Sequence, residues 1–111
     1  MAKGDFVGEF ELYVMLALAR QGDEAYGVTI RREIEARTGR SVVIGAVYAT
    51  LARLEEKGLV QFRISDPQPV QGGRARKYFT LTPAGTRALR HSTAMLARMM
   101  AGLSPQFRSG R

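Results

Sequence analysis

The residues best suited to chemistry lie between about Ile44 and Lys57. A helical wheel there puts Val47, Leu51 and Leu54 on one side and Gly45, Ala46, Ala49, Ala52 and Arg53 roughly opposite. Small residues let a helix backbone sit deep in a major groove of DNA, where long side chains at each position would hold it off. Arg53 has the reach for a guanine edge or a phosphate. Tyr48 and Thr50 flank the same face with hydroxyls of the kind that bond phosphate oxygens and fix register. A second constellation follows: Gly72 and Gly73 leave the backbone able to bend close to a phosphodiester, and Arg74, Arg76 and Lys77 supply charge. Counterion release at such contacts strengthens binding without reading sequence. Small residues also mark helices packed on other helices, and charged tips also keep edge strands soluble. The two together, in this order, favour a polyanion.

Other chemistries find little support. The chain has no cysteine, which excludes disulfides and thiolate metal sites, and His91 is its single imidazole. His91 falls among Arg87, Arg90 and Ser92 without a matching nucleophile or carboxylate, and Glu55 and Glu56 read as the charged end of a helix. No catalytic set, metal site or cofactor is expected, and the chain is read as a non-enzyme. No apolar run approaches the roughly 20 residues of a membrane span, and Met1-Ala2-Lys3-Gly4-Asp5 lacks the order of a signal peptide, so a cytoplasmic location is expected. Net charge is +7 over 111 residues, unevenly spread. Residues 1–60 carry 8 Lys/Arg against 9 Asp/Glu, and residues 61–111 carry 9 against 1. A basic C-terminal half favours nucleic acid as partner.

The elements that must position these residues can be read from periodicity. Glu9 to Arg20 reads as a helix with Phe10, Val14, Ala17 and Leu18 on one stripe and Leu12, Tyr13, Met15 and Leu16 on its other faces. Apolar nearly all round, it needs burial on two sides. A second helix spans Tyr26 to Arg37, and a third about Ile44 to Lys57, stopped by Gly58. Alternation then replaces helical spacing: Val60, Phe62 and Ile64 share one side of a strand, opposite Gln61, Arg63 and Ser65. Pairing resumes from Arg76 to Leu81, giving a hairpin with a long basic tip. Thr82 caps the last helix, Pro83 takes its first position, and Leu89, Leu96 and Leu103 recur every seven residues over about 30 Å. One small core can hardly bury both the first helix and this repeat, so a homodimer is expected, held by Phe10, Tyr13, Val14, Leu89, Leu96, Met99 and Leu103.

The fold expected is α+β, mainly α: a winged helix-turn-helix over residues 6–82, a C-terminal dimerisation helix over 83–103 and a flexible tail over 104–111. The pieces "AYGVTIRREIE", "GAVYATLARLEEKGLV" and "GGRARKYFTLTPAG", in that order and spacing, closely resemble the PadR family of bacterial transcription regulators. The likeness runs from Phe6 to about Leu89, and the single long last helix is similar to the shorter subfamily. The resemblance implies a dimer built mainly from the first and last helices, and repression of a nearby promoter at an inverted-repeat operator. It also implies DNA contact by Tyr48 of the reading helix and by Arg74, Arg76 and Lys77 of the wing.

The sequence departs from its relatives at two points. Val43 stands where relatives often carry a small hydroxyl residue, and valine cannot cap a helix, which leaves Ser41 as the candidate cap. Some relatives hold flat aromatic drugs between tryptophans, and this chain has no tryptophan. A small-molecule effector, where there is one, is expected at the dimer interface, with Phe10, Tyr13, Met95 and Met99 as lining. The rival reading is a winged helix used for protein contacts alone, which would have no need of a basic wing. RNA binding lacks the exposed aromatic platform of single-strand readers.

Overall fold

Four helical readings and two strand readings become six elements in the computed structural model, which describes residues 7–65 and 76–107. They are α1 (Glu9–Gln21), α2 (Gly27–Thr38), α3 (Ile44–Glu56), β1 (Val60–Ile64), β2 (Lys77–Leu81) and α4 (Pro83–Met100). Short 3-10 turns cover Gly22–Glu24 and Pro105–Phe107. The apolar stripes meet in one core. Val14, Met15 and Leu18 of α1 pack with Ile30 and Ile34 of α2 and with Val47, Leu51 and Leu54 of α3. Each fully buried aliphatic side chain of this kind contributes about 1.5–3 kcal/mol of transfer free energy.

β1 and β2 pair antiparallel, with Val60 opposite Leu81, Phe62 opposite Phe79 and Ile64 opposite Lys77 on one face. Gln61 opposite Thr80 and Arg63 opposite Tyr78 form the other face. The hairpin is tied to the helices by its outer edge, where the Phe79 N–H donates to the Ala25 carbonyl at 2.8 Å. Three helices followed by this hairpin make a winged helix.

The start of α4 is fixed as its sequence requires. The Thr82 Oγ1 accepts from the Gly85 N–H at 2.9 Å and donates to the Gly58 carbonyl at 2.7 Å, with Pro83 at the first helical position. Leu89 then lies in the core beside the winged domain's own residues.

Three expectations are corrected. The last helix ends at Met100, not at residue 103: Ala101 is extended and Gly102 takes φ 79°, a left-handed turn that a glycine adopts without steric cost. Leu103 therefore sits beyond the helix, and Pro105 opens a further 3-10 turn. Residues 108–111 of the expected tail lie outside the described residues. Val14 and Leu89, expected at the dimer interface, are buried in the chain's own core and have no surface to give a partner. Ser41 does not cap α3. The N-cap position belongs to Val43, which makes no side-chain cap hydrogen bond and is 73% exposed.

Candidate nucleic-acid interface

Burial of Val47, Leu51 and Leu54 turns the opposite side of α3 to solvent. Gly45, Ala46, Tyr48, Ala49 and Ala52 are all exposed there, with Val43 just before them. Val43 gives the first turn of α3 no side-chain cap, and the Ala46 N–H donates to the Val43 carbonyl at 2.9 Å. One residue assigned to this surface leaves it. Thr50 is 2% exposed, and its Oγ1 accepts from the Arg53 Nη2 at 3.0 Å, so its hydroxyl is unavailable to a phosphate. Arg53 stays at the surface, its side chain 55% exposed, and leans toward α1 with Nε 3.6 Å from the Glu11 Oε2.

Glu11 is the hub of that network. Its carboxylate is buried, accepts from the Gly8 N–H at 3.0 Å, and takes two bonds from the Lys57 Nζ at 3.0 and 3.1 Å. Burial pushes its pKa up. The Gly8 hydrogen bond and the Lys57 and Arg53 charges outweigh burial and hold it below the ordinary glutamate value. α1 is thereby clamped to the C-terminal end of α3.

The root of the wing is built from aromatic and cationic side chains. The Arg76 guanidinium lies 4.2 Å from the Tyr26 ring centre, the Arg63 guanidinium 4.5 Å from that of Tyr78, and the two tyrosine rings meet edge to face at 5.9 Å. Arg63 also donates from Nη2 to the Asp23 carbonyl at 3.1 Å. On the opposite face the Lys77 ammonium sits over Phe62 at 3.9 Å. Gly73 and Arg74, assigned to the wing tip, lie outside the described residues. Tyr26, Arg63 and Tyr78 were not read from the sequence as site residues. The signal was the strand alternation, which becomes informative only with the register that pairs Arg63 with Tyr78.

Tyr48 links the two halves. Its ring lies against Gly27, the residue after Tyr26, so the exposed face of α3 and the wing root converge on the start of α2. The model of the transcriptional regulator PadR-like family matches residues 15–91, from within α1 into α4.

The chain belongs to the PadR-like family of transcriptional regulators.

This PadR-like chain is 40% identical over 83 residues to the transcriptional regulator Rv3488 of Mycobacterium tuberculosis, covering 72% of the chain and 73% of that protein. Its structure is similar to that of a PadR family transcription regulator from Clostridium difficile, with TM-score 0.69 and 26% identity over 84% of this chain and 95% of that one. A PadR family regulator from Eggerthella lenta gives TM-score 0.64 and 27% identity over 91% and 89%. Members of the PadR family are regulators and not enzymes. Among the described residues no group of three His, Asp or Glu side chains is placed to hold a metal ion. No described helix is long and apolar enough to cross a membrane.

Proposed function

We propose that this PadR-like regulator represses transcription as a homodimer, binding an inverted-repeat operator with α3 in the major groove and the wing on the flanking backbone. The observation that carries the reading is the exposed face of Val43, Gly45, Ala46, Tyr48 and Ala49, set beside a wing root bearing Arg63 and Arg76. That face offers methyl groups to the base edges, which suits thymine, and the Tyr48 hydroxyl to a phosphate, with the exposed Arg53 at its C-terminal end. The wing cations, with Arg74 and Lys77 among them, supply charge that does not discriminate between sequences.

The dimer face is the far half of α4 and the turn beyond it. Leu96, Met99, Met100, Leu103 and Phe107 are exposed there, with Leu16 of α1. Phe10 and Tyr13 are partly buried against the core, with Arg40 over both rings, and an effector would enter between the two copies at these residues and Met95. Two reading helices in such a dimer sit about 34 Å apart, one duplex turn. Fluorescence anisotropy with the DNA upstream of the chain's own gene, against a scrambled duplex through a salt series, tests the reading. Tighter binding to the upstream duplex is expected. Equal binding to both refutes an operator, and absence of binding to either favours a winged helix that contacts protein.

A further inference from the structure

The start of α2 touches both halves of the proposed interface without belonging to either. Gly27, at the first position of the helix, is buried, and the place where a side chain would begin is occupied by Cζ, Oη and Cε1 of the Tyr48 ring. Any Cβ at residue 27 would overlap those atoms. The Gly27 backbone is not among those with positive φ, so conformation does not demand a glycine there. Space does.

We propose that Gly27 is the seat of Tyr48, a positioning residue that holds the phenol in one orientation over the start of α2 before DNA arrives. The inference rests on the DNA-binding reading above and adds to it a residue that touches no DNA. A tyrosine 45% exposed on a helix surface ordinarily samples more than one χ1 rotamer. Contact with a bare backbone selects one of them, and avoiding the ordering of one such side chain on binding is worth roughly twofold to tenfold in affinity. The seat is itself held firmly. The Tyr26 N–H donates to the Thr29 Oγ1 at 3.0 Å, the Ile30 N–H donates to the Tyr26 carbonyl at 2.9 Å, and the Tyr26 ring carries Arg76. One dipeptide, Tyr26-Gly27, thus sets the reading tyrosine and the wing root relative to each other.

Gly27→Ala tests this. The obstructing atoms are the far end of a side chain, so the ring swings out and the backbone stays, and alanine is the better helix former. Affinity for a duplex selected from a random-sequence pool is expected to fall by roughly twofold to tenfold, while the melting temperature holds or rises. In a Tyr48→Ala background the same substitution should leave affinity unchanged. 3-Fluorotyrosine placed at position 48 gives a readout without DNA: its fluorine resonance should shift on Gly27→Ala. Unchanged affinity, an equal loss in both backgrounds, or an unmoved resonance overturns the proposal. If Gly27→Ala unfolds the chain, recovery of the fold by Tyr48→Ala upholds the same contact and failure to recover overturns it. A wild-type chain that binds no duplex defeats the DNA-binding reading instead, and the fluorine signal still decides the seat.

Discussion

Removing the charge of Glu11 should loosen the clamp between α1 and α3 by an amount the geometry bounds. Breaking a fully buried ion pair costs about 3–5 kcal/mol, because the abandoned charge stays desolvated. Here the Lys57 side chain is 27% exposed and that of Arg53 55%, so both rehydrate when the carboxylate is lost. Glu11→Gln is therefore expected to cost about 1–2 kcal/mol. Lys57→Met should cost more, about 2–3 kcal/mol, because it leaves the Glu11 carboxylate, whose side chain is 8% exposed, with only the Gly8 N–H and the 3.6 Å Arg53 contact. The double variant leaves neither member of that pair stranded and should cost about 1–2 kcal/mol, well below the sum of the single effects. Urea denaturation at fixed chain concentration measures all four corners of the cycle. The pH dependence carries a sign. With its pKa depressed in the folded state, Glu11 contributes its full stability above the ordinary glutamate value and loses it as pH falls through the folded value. The difference between wild type and Glu11→Gln should close over that acidic window. Additive losses, or a difference constant through it, would refute the clamp.

Gly85→Ala should destabilise the chain by about 1–3 kcal/mol, because a Cβ there meets the backbone carbonyl of Leu59, which cannot swing aside as Tyr48 can; thermal unfolding reads it directly. Leu96→Glu should leave the monomer folded yet shift sedimentation equilibrium toward single chains, since Leu96 is exposed in the chain alone, whereas Leu89→Glu should unfold it. Arg76→Ala should weaken binding to selected and scrambled duplexes alike and shrink the salt slope by about one unit; a change confined to the selected duplex would assign Arg76 to base reading instead.

Local periodicity alone determined the elements. Apolar spacing of about 3.6 residues in three segments, alternation from Val60 to Ile64 and the Thr82-Pro83 cap are interactions among near neighbours, and the helices and strands stand within a residue or two of where those signals put them. The end of the last helix was the exception, because the seven-residue leucine spacing continues past Gly102 while the backbone does not. Which faces are occupied was decided by tertiary packing. A helical wheel separates two sides of α3 but cannot show that Glu11, 42 residues before Arg53, lies beside its guanidinium, or that Thr50 falls within the core. It cannot show that Val14 and Leu89 are consumed by the chain's own core while Leu96 and Met99 are left over. Nor does a glycine at the first position of a helix announce that a tyrosine 21 residues later fills its missing side chain. Contacts of that range depend on how the elements pack in three dimensions, and the spacing of residues along one helix or strand carries no record of it.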